Sequence, residues 1–429
     1  MNKKLAIRTL LLLVSIAAIV AAYQALTIWA KDWGGGKSDT VGVIAALEET
    51  KNGARVVAIE TNGNKKELPG GNELTRDIDF GWGADGSHIY LSTNRDPLQK
   101  SKEGGSYNIF RWKFGSNEVE PLTDQRRTMS APRFFTENGT SVGVVISGGR
   151  VMEFLPSSQK STLSQIMPPI NKDRSAGGEG EGAAESNIYA RYGNSFRQAF
   201  YLPGHYSMLA VMSRDDAEVL VFHDFRPDEN GRTRPPLGLI AGSRIQLDMT
   251  PDGHFVIAQQ DATVPDRENV PKEWMKDGKL FPNLGGQPFH HMLWIGKLDA
   301  TGNPIPVPVV PPTIKPEEEV VFMDPALSPD GNSVAVIVAQ RPEPNTTVPQ
   351  GLVVLSNLGG KDGAPKRLVQ GPVLQPSWAP DGKSILFTMP DNGMRSIFEI
   401  QADGSNPRKV IGGGNFAYPR YSPQVKKAS

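Results

Sequence analysis

Several short stretches have the residue types and spacing of catalytic or binding motifs, and each makes a definite demand on its surroundings. Gly81-Trp82-Gly83-Ala84-Asp85-Gly86 has the glycine spacing of a dinucleotide fingerprint. That motif works only when a helix follows, so that its amino end faces the pyrophosphate. Here His88-Ile89-Tyr90-Leu91-Ser92-Thr93 follows, which alternates as a strand, and the glycines then serve a hairpin turn. Gly139-Thr140-Ser141-Val142-Gly143 has the spacing of a nucleophile elbow. An elbow needs strand, sharp turn and helix, whereas Val144-Val145-Ile146 continues as a strand. Gly36-Lys37-Ser38 and Gly382-Lys383-Ser384 look like the end of a phosphate-binding loop, but Lys31 and Ser377 stand where its earlier glycine is required.

The six histidines are His88, His205, His223, His254, His290 and His291. The adjacent pair invites a metal reading. On a strand, however, neighbouring side chains point to opposite faces and cannot share one ion. The chain has no cysteine, which excludes disulfide scaffolds, zinc–thiolate sites, iron–sulfur clusters and thiol nucleophiles. No catalytic, cofactor-binding or metal-ligating residue is assigned, no cofactor is expected, and the expectation is of a binding protein rather than an enzyme. Lys+Arg and Asp+Glu are both 46. A nucleic-acid-coating surface needs a basic excess, so a nucleic-acid partner is not expected.

The elements around these motifs repeat. Gly (45) and Pro (35) are abundant, as in a turn-rich chain with few long helices. An apolar or aromatic residue, a short polar stretch, Asp-Gly or Asn-Gly, and then alternating apolar residues recur from Phe80, Arg133, Leu247, Leu327 and Trp378, with a degenerate copy from Phe200. Asp-Gly and Asn-Gly between β-rich runs signal tight hairpins, because glycine accepts the positive φ they require. The turn residues are Asp85-Gly86, Asn138-Gly139, Asp252-Gly253, Asp330-Gly331 and Asp381-Gly382. Their role is structural, each carboxylate or amide accepting nearby backbone N–H groups.

A second hairpin follows each of these, beginning at Val56, Asn108, Val151, Val219, Leu293, Leu352 and Ile397. That makes seven outer hairpins against six complete inner ones. The seventh is split. Asn415-Phe416-Ala417-Tyr418-Pro419-Arg420-Tyr421 begins an inner hairpin and stops, while Val41–Leu47 reads as the second half of one with no first half. Joining them makes an all-β, seven-bladed propeller closed by both ends of the chain, with six to eight blades as the range.

Ahead of the repeats, Lys3, Lys4 and Arg8 precede an uncharged run of 21 residues, Leu10 to Ala30, with Trp29 and Trp33 near its end. A bilayer core needs about 20 residues of helix. The basic flank keeps that end cytoplasmic, and the tryptophans suit an interfacial belt. A cleaved signal peptide, cut near Ala21 and Ala22, is the alternative. Either reading sends the bulk of the chain across the membrane.

Ser328-Pro329-Asp330-Gly331-Asn332-Ser333-Val334-Ala335-Val336 and Ala379-Pro380-Asp381-Gly382-Lys383-Ser384-Ile385-Leu386-Phe387 resemble the TolB-type, WD-like propeller repeat. So does the pairing of Ile89–Asp96 with Asn108–Phe114. The resemblance runs from about residue 41 to residue 423 and implies the fold rather than a task. TolB itself carries an α/β domain before its propeller, and only residues 31–40 are available for one here. Oligogalacturonate lyases resemble this repeat class and use a metal site, but no matching histidine motif is present.

The expected organisation is a basic cytoplasmic tail (1–9), an anchor or uncleaved signal (10–30), a linker (31–40), the propeller (41–423) and a short tail (424–429). Asn171–Asn187 is almost devoid of apolar residues and reads as a surface loop, and Asn303–Glu319 is proline-rich and extended. Asp261–Pro288 is long for a hairpin connection and carries Trp274, Met275, Leu280 and Phe281, which makes it the candidate partner-binding loop. The expected role is a membrane-anchored, periplasm-facing scaffold for a protein of the cell envelope. The alternative is an enzyme or binding protein for a small molecule or carbohydrate at the central channel, which requires His, Asp, Glu or Arg side chains to converge there.

Overall fold

The computed structural model describes residues 42–95, 106–124, 128–137, 140–156, 163–167, 195–214, 217–232, 234, 236–263, 275–276, 279–280, 291–309, 320–343, 346–356 and 365–423. They form a seven-bladed β-propeller. Each blade has four antiparallel strands in chain order from the central channel outward. Blade 1 takes its innermost strand, Asn415–Tyr421, from the carboxyl end and its other three, Val43–Thr50, Gly53–Glu60 and Lys65–Glu67, from the amino end. Blades 2, 3, 6 and 7 begin at Asp77, Met129, Val320 and Leu374.

Blades 4 and 5 share one long strand, Leu237–Met249, so the two form a single seven-stranded sheet. Its first half pairs with Ala217–Asp224 as the edge of blade 4, and its second half pairs with Phe255–Thr263 as the inner strand of blade 5. The link from Ala217–Asp224 into this strand turns at Asn230-Gly231, where the Gly231 N–H donates to the Asp228 carbonyl at 3.0 Å and Gly231 has φ of 73°.

The closing ladder pairs Ile44 with Tyr421, Ala45 with Arg420 and Leu47 with Ala417. The Ser422 N–H donates to the Val43 carbonyl at 2.7 Å, extending the ladder past the strand. Alternation explains the nearly continuous apolar run in Val43–Thr50. Ile44 and Ala46 pack toward blade 7, against Leu386 and Ile397. Ala45 and Leu47 pack toward blade 2, against Phe80, Ile89 and Trp112. A strand buried on both faces needs apolar residues at both parities. The core is thus a set of apolar seams between blades.

The Asp-Gly turns behave as their sequence demands. Gly86, Gly253, Gly331 and Gly382 have φ of 65°, 90°, 69° and 70°. The Asp330 carboxylate accepts the Asn332 N–H at 3.1 Å and the Ser328 hydroxyl at 2.6 Å, and Asp381 accepts the Lys383 N–H at 3.0 Å. Asp85 accepts the Ser87 N–H, while Asp252 accepts the Thr250 hydroxyl and meets the His254 ring. Asn138 and Gly139 lie outside the described residues, but Glu137 pairs with Thr140 across them. Gly81–Gly86 leads into the strand His88–Thr93, Ser141–Gly143 lies within Thr140–Ser147 and Gly382-Lys383 leads into Ser384–Asp391, while Gly36–Ser38 lies outside the described residues.

The outer strand of blade 3 is Ser164–Met167. The proline-rich stretch begins with an edge strand, Pro304–Val309, paired with His291–Leu298. Its prolines fall at alternate positions, so the missing donors share one side of the strand, as an edge allows. The proposed anchor (10–30) lies outside the described residues, as do 1–9, 31–40, 171–187 and 424–429. Among the described residues no helix is long and apolar enough to cross a membrane.

Candidate functional site

Every inner strand carries a β-bulge about halfway along. The register against the second strand slips between Asp77 and Asp79, Ser130 and Arg133, Phe196 and Gln198, Ser243 and Gln246, Met323 and Ala326, and Leu374 and Ser377, and opposite Ala45 and Leu47 in blade 1. At five bulges a non-glycine residue has positive φ: Ala131 (50°), Arg244 (47°), Asp324 (48°), Gln375 (56°) and Tyr418 (53°). Four of these precede a proline, Pro132, Pro325, Pro376 or Pro419. A bulge leaves one residue unpaired and re-aims its neighbours. Proline, lacking a donor, loses no ladder bond there.

A left-handed conformation at a residue with a side chain is costly and persists only where its surroundings fix it. The surroundings are side chains from the preceding blade. Asp79 Oδ2 accepts the Ala131 N–H at 2.9 Å. Asp324 Oδ2 accepts the Gln375 N–H at 3.0 Å, and Gln375 Oε1 accepts the Tyr418 N–H at 2.8 Å. Gln246 meets Asp324 twice at 2.8 Å, accepting its N–H and donating to its carboxylate. Each clamp satisfies an N–H that the bulge removed from the ladder. The clamps couple blade 2 to blade 3 and run in series from blade 5 through blades 6 and 7 to blade 1.

Beyond the bulges, six of the seven blades contribute to a channel of about 570 Å³. Its polar lining includes Arg133, Gln198, Asp248, Asp324, Gln375 and Arg420. Tyr418 and Trp378 add aromatic surface, and Pro251, Pro329, Pro380 and Pro423 stand at the level of the Asp-Gly turns. The volume lies within the range of small-molecule pockets, roughly 300–1,000 Å³. The wall is mixed: Arg, Asp and Gln side chains stand among prolines, Phe200, Leu247, Leu327 and Trp378.

The environment perturbs these groups. Burial within the channel pushes the Arg133 guanidinium down to about 10, and repulsion from Arg420 adds to the effect. Asp248 is raised by burial, against the opposing pull of the Leu327 N–H and of Arg420 and Arg133. Burial also raises Asp324, which its bonds to Gln246 and the Gln375 N–H offset. Such a wall can recognise charge and hydrogen-bonding groups. Among the described residues no three His, Asp or Glu side chains come together to hold a metal ion.

None of the recognition residues was singled out by a motif. The signal that could have found them is positional. Aligning the repeats on their turns sets Asp324-Pro325, Gln375-Pro376 and Tyr418-Pro419 in register, and the residue two places after each left-handed one faces the channel level of Arg420. The candidate partner loop is only partly described. Met275–Lys276 pairs with Lys279–Leu280 as a two-stranded hairpin, while Trp274 and Phe281 lie outside the described residues.

No protein-family model matches the chain, and no curated protein matches it. Solved structures do. TolB of Acinetobacter baumannii is similar over 94% of this chain and 70% of its own, with 14% identity and a TM-score of 0.45. The periplasmic gluconolactonase of Pseudomonas aeruginosa is similar over 90% of this chain and 100% of its own, with 11% identity and a TM-score of 0.47. A Lactobacillus plantarum protein is similar over 89% of this chain and 99% of its own, with 12% identity and a TM-score of 0.49. Likeness at this level is one of architecture.

Proposed function

We propose that this chain is an extracytoplasmic binding platform: a propeller held at the cytoplasmic membrane by residues 10–30, facing the periplasm and docking a protein of the cell envelope. One observation carries the reading. Six blades converge polar and aromatic side chains on a single mouth, and the clamped bulges hold that mouth rigid. A rigid scaffold that presents recognition groups, with no metal-ligand cluster among the described residues, is suited to binding. Tyr418, half exposed at this mouth, is the position from which to look for the partner. A photo-cross-linking residue at position 418 of the full chain should capture a discrete envelope protein in cells, and an uncross-linked chain would reject protein docking. The chain should also remain with membranes after an alkaline wash, and recovery in the wash would reject the anchor.

A second reading is supported by the channel itself. Its volume and its arginine, aspartate and glutamine lining suit a small polar molecule or carbohydrate. A thermal-shift screen of the detergent-solubilised chain separates the two readings, because a small ligand stabilises it without any partner.

A further inference from the structure

Just past the bulges, the inner strands place one residue per blade at the same level. Blades 1, 2 and 3 place Arg420, Gly81 and Arg133 there, opposite Ala45, Tyr90 and Val144 of their second strands. Blades 4 and 5 place Phe200 and Asp248. Two arginines therefore flank the one glycine of the tier. A Cβ at Gly81 would lie 2.6 Å from the Pro132 carbonyl oxygen, so the close contact between blades 2 and 3 keeps that position free of a side chain.

Neither arginine has a counterion in contact. Arg420 lies over the Phe80 ring at 5.8 Å and Arg133 over the Phe200 ring at 5.6 Å. Arg133 Nη1 donates to the Pro132 carbonyl at 3.0 Å. Among the described residues neither guanidinium takes part in an ion pair. Asp79 and Asp248 attract Arg133 without touching it, their oxygens accepting the Phe80, Ala131 and Leu327 N–H groups. Stacking on a ring orients a guanidinium but leaves its N–H fork free. The two guanidinium groups repel each other across the channel, and an anion between them would relieve that repulsion.

We propose that Arg133 and Arg420, which both line the channel, are the two arms of a clamp for the oxyanion of a small ligand, a carboxylate or a phosphate, seated between them. This rests on the small-molecule reading of the channel. The guanidinium fork matches both anions in geometry and charge. Asp248, across the tier, disfavours a second anionic group, so the rest of the ligand is polar and not anionic.

The test uses three probes with one carbon skeleton: glycerate, glycerol phosphate and glycerol. Each is titrated calorimetrically into the full-length chain in detergent micelles at low salt. Binding of glycerate or glycerol phosphate but not glycerol is expected, and which of the two binds tells carboxylate from phosphate. Arg133→Gln and Arg420→Gln should each weaken that binding about tenfold or more, the scale of a lost charged hydrogen bond. Arg133→Lys and Arg420→Lys, which keep the charge and burden the fold least, should weaken it less than the Gln variants. Equal binding by wild type and variants overturns the clamp. Binding of glycerol alone also overturns it while leaving the channel as a ligand site, and binding of none of the three counts against both.

Discussion

Glu399 offers a quantitative handle on how the last blade is joined to the first. Its carboxylate is buried, ion-paired with Arg408 and hydrogen-bonded by the Ser384 hydroxyl at 2.8 Å and by the Tyr421 hydroxyl. Tyr421 belongs to the strand that closes the ring, and burial followed by the Glu399 charge raises its pKa well above the usual phenol value. Arg408 also donates to the Thr61 carbonyl of blade 1 at 3.2 Å. Replacing Glu399 with Gln leaves Arg408 buried beside a neutral amide. Breaking a buried pair from one side costs about 3–5 kcal/mol. With an unfolding entropy of about 2.1 cal/mol/K per residue over roughly 380 residues, 4 kcal/mol lowers Tm by about 5 °C. Calorimetry of Glu399→Gln measures this directly. The double variant Glu399→Gln/Arg408→Gln, with no orphaned charge, should lose less than the single one. An unchanged Tm for Glu399→Gln, or a double variant that loses as much as Glu399→Gln or more, would refute the reasoning.

Two further outcomes follow from burial and backbone geometry. His223 is fully buried, and desolvation lowers its pKa to about 4. The unfolded chain therefore binds a proton there first as pH falls. The stability in question is full above about pH 6.5 and is lost as pH drops toward 4, to the extent of about 3 kcal/mol. His223→Gln should flatten that part of the acid-stability curve, and an unaltered slope would contradict the assignment. Gly331 and Gly382 share a turn conformation, but a Cβ at Gly331 would lie 2.6 Å from the His254 ring, whereas at Gly382 the nearest atom is Pro329 Cδ at 3.9 Å. Gly331→Ala should therefore lower Tm more than Gly382→Ala, and equal losses would show that φ alone sets the penalty.

The ring was legible in the sequence because its signals are local. Asp330-Gly331 and Asp381-Gly382 announce hairpins by turn chemistry, and the split unit at the two ends announces closure. The shared strand Leu237–Met249 was not, because a chain passing from one blade to the next without a turn leaves no punctuation. The channel residues were hidden for a different reason. Arg133, Arg420, Asp248 and Gln375 meet only because the ring brings residues from separate repeats to one level, and no spacing along the chain encodes that meeting. The bulges were also invisible, since the side chains that hold Ala131, Asp324, Gln375 and Tyr418 belong to the previous blade, as Asp79 does for Ala131.

Every functional reading here depends on the ring being closed. Glu49 and Asn415 are paired across the closing ladder, their side chains hydrogen-bonded at 2.6 Å although 366 positions separate them. The native chain has no cysteine, so Glu49→Cys/Asn415→Cys can form only the intended bridge within one chain. Mild oxidation of the folded protein should consume both thiols and raise the stability, with a chain-entropy ceiling of about 6 kcal/mol for so long a loop. Two thiols that stay free in the folded, oxidised protein would mean that the termini do not share a blade.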